Sequence, residues 1–351
     1  MNYLQAAPGT VVELAASTTV PEMVHVLAAE EIDAVNAALA ARRPLLVRGE
    51  PGIGKSQLAR AAAKALGRVF LSQVVDSRTE SRDLLWHFDA VARLADAQLF
   101  GALGAFGVRQ AQADGAEPQA AAEAWERLEG AARRRLDPVH YVQPRALWWA
   151  FDWADARNQA ASVGIEPPPQ PDGGDPSNGA LVLIDEIDKA ESDVPNGLLE
   201  ALGAGSFTPF GRQHPVGAVG APPLVVITTN EERSLPDAFL RRCLVLHLRL
   251  PAERVALKGH LIDRARAHFR GADPAVLQGA AEQLCDDRDT AQREHWLPLP
   301  GQAEYLDLVR AVLALAHAGA TGLDAAAILK RVGGYVLRKH HDALPASGPA
   351  G

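Results

Sequence analysis

One run of eight residues sets the expectations for the whole chain: Gly49-Glu50-Pro51-Gly52-Ile53-Gly54-Lys55-Ser56. It follows the apolar run Pro44–Val47 and precedes the Ala-rich stretch Gln57–Leu66, so it joins a predicted strand to a predicted helix. Glycine permits the tight turn that points successive backbone N–H groups at one anion, and the helix adds the positive end of its dipole. The pattern therefore predicts a phosphate-binding loop. The alternative is a glycine-rich turn that matches by accident.

Two side chains of this loop carry the predicted chemistry. The Lys55 ammonium is expected to contact the β- and γ-phosphates of a nucleoside triphosphate, and the Ser56 hydroxyl to complete the coordination of Mg²⁺. The other expected nucleotide-binding residues are Gly49, Glu50, Pro51, Gly52, Ile53, Gly54 and Gln57. Because the loop recognises the triphosphate and says little about the base, ATP and GTP both remain open at this point.

A second buried strand is predicted at Leu181–Ile184, directly before Asp185 and Glu186. Carboxylates at the end of a buried parallel strand face the crevice where open α/β sheets bind ligands. Asp185 is expected to hold Mg²⁺, directly or through water, and Glu186 to act as general base on the attacking water. The alternative is a solvated helix start, because Asp and Glu also favour first helical turns.

A third strand, Pro223–Thr229, is predicted to end at Asn230, whose amide can orient a water or contact the γ-phosphate. A turn-forming asparagine is the simpler alternative. Beyond it, Ser234–Cys243 is predicted to start a short helix that ends at Arg241 and Arg242. A guanidinium group suits a charge supplied to a transferring phosphoryl group, although cations also favour helix C-termini.

The ordered set GEPGIGKS, LVLIDEIDKA, VVITTN and LPDAFLRRC resembles the AAA+ ATPases, and within them the MoxR-like branch related to the dynein and McrB groups. The segment Ser77–Trp86 is similar to the part of MoxR-like proteins that leads into their helix-2 insertion. The likeness spans about residues 25–345. It implies the following assignments: Walker A for Lys55 and Ser56, Walker B for Asp185 and Glu186, sensor 1 for Asn230, and the arginine finger for Arg241 or Arg242.

The resemblance also implies the architecture. We expect a P-loop NTPase fold, a three-layer α/β/α sandwich, with a C-terminal α-helical lid domain. The predicted division is an α/β nucleotide-binding domain over residues 1–250, a helical lid over 251–343 and a disordered tail over 344–351. The helical spacing of apolar residues after position 251 supports the lid.

Two features depart from the family pattern. Lys55 and Asp185 are 130 positions apart, more than is usual, so we expect an insertion at about 86–179. Within it we predict a helix-favouring stretch at Ala111–Ala132, tryptophans that pack the insertion, and an exposed loop at Pro167–Gly179. In addition, Pro300–Glu304 holds no basic residue where many MoxR-like proteins carry the sensor 2 arginine.

Composition narrows the functional classes. The 351 residues include 43 acidic and 35 basic side chains, and the net charge of −8 gives no general attraction to nucleic acid. The two cysteines, Cys243 and Cys285, show neither metal-ligand spacing nor a disulfide framework, which fits a reducing cytoplasm. No signal pattern and no apolar run of ~18 residues is visible. We therefore expect a soluble cytoplasmic protein without a membrane partner.

The resemblance implies ATP and Mg²⁺ as cofactors and a homo-oligomeric ring, usually a hexamer. The leading hypothesis is a chaperone-like motor that remodels a protein client, with von Willebrand factor A domain proteins as the partner class. One alternative is a nucleic-acid-linked motor of the McrB or helicase-loader type, which the acidic balance disfavours. The other is a non-hydrolysing nucleotide switch. The absent sensor 2 arginine favours the switch, whereas Glu186 and the arginine pair disfavour it.

Overall fold

The computed structural model describes residues 3–16, 22–113, 118–191, 193–319 and 322–339. The predicted disordered tail at 344–351 lies outside these residues. In chain order, the strands are β1 (Val11–Leu14), β2 (Met23–Val26), β3 (Leu45–Arg48), β4 (Val69–Val74), β5 (Trp86–Phe88), β6 (Val142–Pro144), β7 (Ala180–Asp185), β8 (Ser206–Phe207), β9 (Val216–Gly217), β10 (Leu224–Thr229) and β11 (Leu244–His247).

The helices are interspersed with these strands in the first two thirds of the chain and follow one another in the last third. They are α1 (Ala29–Ala41), α2 (Lys55–Ala65), α3 (Ala90–Ala113), α4 (Pro118–Arg135), α5 (Ala146–Phe151), α6 (Trp153–Ser162), α7 (Asp193–Ala204), α8 (Asp237–Leu240), α9 (Arg254–His268), α10 (Pro274–Arg293), α11 (Gln302–Ala318) and α12 (Ala325–Leu337). Within the described part of the chain, every helix is either too short or too polar to span a lipid bilayer.

A five-stranded parallel sheet forms the centre of the fold, with the strand order β11-β3-β10-β7-β4. Strand β3 pairs in parallel with both β10 and β11, so that Leu46 lies opposite Ile227 and Val245. The predicted strands are continuous apolar runs because both faces of such a sheet are covered, and Leu46 and Ile227 are fully buried. The sheet, together with the C-terminal helices, confirms the predicted α/β class.

The chain divides into two compact units. One comprises residues 67–225 and 235–242, and the other comprises the described residues up to 66, 226–234 and those from 243 onward. The second unit therefore contains both the predicted phosphate loop and the C-terminal helices. The division into domains at residues 250 and 251 stays a prediction.

The first unit contains the insertion. Within it, strands β5 and β6 pair antiparallel, with α3 and α4 between them in the chain. The predicted stretch Ala111–Ala132 falls on both helices, and residues 114–117 lie outside the described part. Trp148 and Trp149 are buried, as predicted for tryptophans that pack the insertion. Arg133–Arg135 are exposed in the last turn of α4.

The loop Pro167–Gly179 is mostly exposed, as predicted, but it is also anchored to the sheet. Its residue Gln170 contacts Phe70 of the edge strand β4 through both halves of the side-chain amide. The Phe70 N–H donates to Gln170 Oε1 at 2.8 Å, and Gln170 Nε2 donates to the Phe70 carbonyl at 3.0 Å. The side chain thus satisfies the outward backbone groups of one edge-strand residue.

In the second unit, the antiparallel pair of strands β1 and β2 precedes α1 and β3. Helices α9–α12 pack around their own apolar core, in which Leu261, Leu284, Tyr305 and Val309 are fully buried. This core explains the helical spacing after residue 251, because each helix turns one apolar stripe toward it.

Candidate functional site

The loop between β3 and α2 has the backbone expected for anion binding. Gly52 and Gly54 adopt φ values of +76° and +105°, in the left-handed region that favours glycine. Helix α2 begins at Lys55, so its first-turn N–H groups and the positive end of its dipole lie at the loop. A Cβ atom on Gly52 would stand 2.6 Å from Ala303 Cβ, so α11 also contacts the loop closely.

Lys55 connects this loop to the end of the neighbouring strand β10. Its side chain is buried, and Nζ donates to the carbonyl oxygens of Gly49 at 2.7 Å and Glu50 at 3.1 Å. The same ammonium donates to Asn230 Oδ1 at 2.6 Å. The structure thus brings together two residues that the sequence separates by 175 positions. Both were predicted site residues.

The far end of the loop packs against a histidine that the sequence did not reveal as a site neighbour. From a Cβ on Gly54, the nearest atoms would be Gln57 Oε1 at 3.7 Å and the His25 ring at 3.8 Å. His25 Nε2 lies 3.1 Å from Glu31 Oε2, and both side chains are buried. Burial acts to raise the pKa of Glu31, but the hydrogen bonds from His25 and the Ala28 N–H lower it overall.

The two predicted acidic residues, Asp185 and Glu186, lie at the end of strand β7 in the first unit. Asp185 is partly buried at the last position of the strand, and its carbonyl accepts a hydrogen bond from the Val75 N–H. Glu186 adopts a left-handed backbone with φ +61°, which is uncommon for a residue with a Cβ. Its Oε2 forms a 2.6 Å ion pair with Lys189 Nζ, which fixes the position of the carboxylate.

Arg241 and Arg242 follow α8 directly, and both are exposed. The short helix is anchored by Phe239, which is fully buried. The sequence correctly predicted a short helix that places two guanidinium groups at its end. Their role as an arginine finger stays a prediction.

A cavity of about 700 Å³ lies beside the loop in the second unit. Gly49, Glu50 and Asn230 line it from the loop and the end of β10, and Arg288 lines it from α10. His247 lines it as well. This histidine is exposed at the end of β11. Arg288 was missed because nothing in its local sequence links it to a loop 238 positions earlier.

A comparison with protein families provides the decisive observation. The family model described as the AAA domain of the dynein-related subfamily matches residues 44–243, which is more than half of the chain. This chain belongs to that AAA family. The predicted resemblance to dynein-related AAA+ proteins is confirmed, and membership implies that the AAA protein binds a nucleotide.

Solved structures similar to the AAA protein are distant in sequence. A RuvB point mutant from Thermotoga maritima is 13% identical with a TM-score of 0.41, covering 86% of this chain and 66% of that one. A second RuvB point mutant from Thermotoga maritima is 14% identical with a TM-score of 0.40, covering 85% and 64%. A presumed ATPase from Cytophaga hutchinsonii is 13% identical with a TM-score of 0.33, covering 86% and 79%.

The AAA protein thus spans slightly less than two thirds of the length of the RuvB chains. No curated protein matches it.

Proposed function

We propose that this AAA protein is a Mg²⁺-dependent ATPase whose turnover drives the remodelling of a protein partner. The observation that carries the proposal is the contact of Lys55 Nζ with Asn230 Oδ1 and two loop carbonyls, which places a buried cation at the phosphate loop. A protein that only binds a nucleotide needs the cation and the loop. Hydrolysis also needs a base, and the carboxylate of Glu186, held by Lys189, is the group we assign to that role.

Each residue has a distinct proposed task. Lys55 neutralises the terminal phosphates, and Asn230 orients the attacking water or contacts the γ-phosphate. Ser56 and Asp185 would hold Mg²⁺, which needs only one or two protein ligands when phosphate oxygens supply others. When bound, the ion would neutralise charge that develops on the transferring phosphoryl group. Glu186 accepts the proton of the attacking water.

The proposal extends to assembly and partner. We infer a hexameric ring of the MoxR-like type, with Arg241 or Arg242 donated across a subunit boundary. Two exposed guanidinium groups that directly follow an anchored helix suit that role. The client is a protein, with von Willebrand factor A domain proteins as the candidate class, and the site of action is the cytoplasm.

The first test measures ATP turnover and particle mass, with and without Mg²⁺·ATP, for the native chain and for Glu186→Gln. We expect the native chain to hydrolyse ATP. Glu186→Gln should bind ATP but turn it over at least about 100-fold more slowly, because general-base catalysis contributes roughly 10²- to 10⁴-fold. The variant should accumulate as a large particle, which then serves as bait for the client.

The matched control is Glu166→Gln, which removes a carboxylate from an exposed loop residue. It should behave like the native chain. Competition between ATP and GTP in the same assay tests the choice of base. Native protein that binds ATP but neither hydrolyses it nor changes its mass would contradict the motor and favour a nucleotide switch.

A further inference from the structure

Arg288 of helix α10 is a buried cation that contacts the phosphate loop. Its residue exposure is only 8%. One terminal nitrogen, NH2, forms a 2.7 Å ion pair with Glu50 Oε1, and the other, NH1, donates to the Pro300 carbonyl at 2.8 Å. A guanidinium group with so little access to water requires an anionic partner to offset its desolvation. In this structure that partner is a side chain of the loop itself.

The Glu50 carboxylate is an incomplete partner for this arginine. Its second oxygen, Oε2, is buried and forms no hydrogen bond within the described part of the chain. Glu50 is also an unfavourable neighbour for a triphosphate, because it adds a negative charge to the loop whose N–H groups would bind that anion. When a nucleoside triphosphate occupies the loop, the phosphates and the carboxylate therefore compete for one guanidinium group.

Two other arginines line the same cavity. Arg254 is committed to three carboxylates, with Asp286 and Asp289 each at 2.6 Å and Glu282 as the third partner. These hydrogen bonds raise its pKa further and leave little reason for it to change partners. Arg249 is exposed, so water already satisfies its charge at low cost. Among the residues that the structure describes, Arg288 differs from both because it is buried and pairs with one carboxylate, that of Glu50.

We propose that Arg288 exchanges Glu50 for the terminal phosphate when a nucleoside triphosphate binds, so that α10 distinguishes a triphosphate from a diphosphate. The guanidinium NH2 suits this exchange, since it forms charge-assisted hydrogen bonds with phosphate as well as with carboxylate, while NH1 stays on the Pro300 carbonyl. The inference rests on the proposed function, because it requires nucleotide in the loop. It adds a phosphate-contacting residue from a helix where the sequence indicated none.

The test compares the dissociation constants of Mg²⁺·ATP and Mg²⁺·ADP for the native chain, Arg288→Gln, Arg288→Lys and Glu50→Gln. Arg288→Gln should weaken ATP binding by about 10- to 100-fold, the usual range for one charge-assisted hydrogen bond, and ADP binding by less than about 3-fold. Arg288→Lys should recover part of the ATP preference. Glu50→Gln should strengthen ATP binding by about 3- to 10-fold, because a competing charge is removed.

Arg249→Gln is the matched control, since it removes an arginine that lines the same cavity. If Arg249→Gln lost as much ATP affinity as Arg288→Gln, the proposal would be overturned. The general positive potential of the cavity would then explain both losses. Equal weakening of ATP and ADP by Arg288→Gln would also overturn it, in favour of a structural contact between α10 and the loop. If Arg288→Gln fails to fold, the opposite shifts expected for Arg288→Lys and Glu50→Gln still decide the matter.

Failure of the proposed function gives a different result. In that case the native chain binds neither nucleotide, or Lys55→Ala binds ATP as tightly as the native chain. Either result overturns both proposals, whereas a native chain that binds ATP through Lys55 leaves only the role of Arg288 in question.

Discussion

At the scale of single residues, position 52 requires glycine for two reasons: its backbone conformation and its close contact with Ala303. Its φ of +76° disfavours any residue with a Cβ, and a Cβ would also stand 2.6 Å from Ala303 Cβ. Gly271 has a similar φ of +80°, but a Cβ there would meet no atom within 4 Å. The two glycines separate the cost of backbone conformation from the cost of steric overlap.

Gly52→Ala should therefore be more harmful than Gly271→Ala. Both variants pay about 1–2 kcal/mol for a left-handed alanine, and Gly52→Ala should lose a further 1–3 kcal/mol, roughly, from overlap with α11. Urea unfolding measures the free energies, and an ATP-binding titration should show weakened binding for Gly52→Ala only. Adding Ala303→Gly should recover the extra loss. Equal destabilisation of the two single variants would contradict the steric account.

At the scale of elements, Arg212 in the loop between β8 and β9 contacts helix α6 of the insertion. Arg212 NH1 contacts both oxygens of Asp155 at 3.0 and 2.8 Å, and NH2 contacts Gln159 Oε1 at 2.9 Å. Its guanidinium carbon lies 4.8 Å from the centre of the Trp148 ring. Trp148 Nε1 donates to Asp155 as well, so the four side chains form one network.

Arg212→Gln should lower the free energy of unfolding of the first unit by about 1–3 kcal/mol, because Asp155 and Gln159 lose their common partner. The control is Arg266→Gln, whose ion pair with Asp263 is exposed and should contribute less than about 0.5 kcal/mol. Urea unfolding followed by tryptophan fluorescence measures both. If Arg212→Gln lowered the free energy of unfolding no more than the control does, the network would contribute little to stability.

The elements also show where the sequence was sufficient. Strands β3, β7 and β10 were predictable because each is a continuous apolar run that ends in polar residues, and Asp185 and Asn230 follow from those ends. Lys55 and Ser56 follow from a contiguous pattern. The β5–β6 pair and the Arg288–Glu50 contact were not predictable, because short pairings and single ion pairs depend on residues far apart in the chain. His25 was missed for the same reason, since no local pattern places it beside Gly54.

At the scale of the whole molecule, the exposure of Arg241 and Arg242 bears on the proposed ring. A group that completes a neighbour's site must reach beyond its own subunit, and both guanidinium groups follow a helix anchored by buried Phe239. In a ring with head-to-tail interfaces, the base and the finger at one site come from different subunits. Inactive variants of the two groups should therefore complement each other.

We expect Glu186→Gln and the variant of the finger arginine each to be inactive alone and active when mixed. In random equal mixtures, roughly a quarter of the interfaces combine an intact Glu186 with an intact arginine, so turnover should approach a quarter of the native value. Testing Arg241→Ala and Arg242→Ala separately identifies the finger. Glu186→Gln mixed with a double variant that lacks both Glu186 and the finger arginine provides the control without recovery, since no subunit in that mixture supplies the base. No recovery in any mixture would argue that the arginines act within one subunit.

The side chain of Gln170 has a consequence for how copies of this protein meet one another. An edge strand with unpaired N–H and C=O groups is a template on which another chain can add a strand, and β4 is such an edge. Gln170 satisfies both outward groups of Phe70, and the loop that carries it lies along that edge. We therefore expect this loop to oppose the addition of another strand at Phe70, the position where Gln170 occupies the edge.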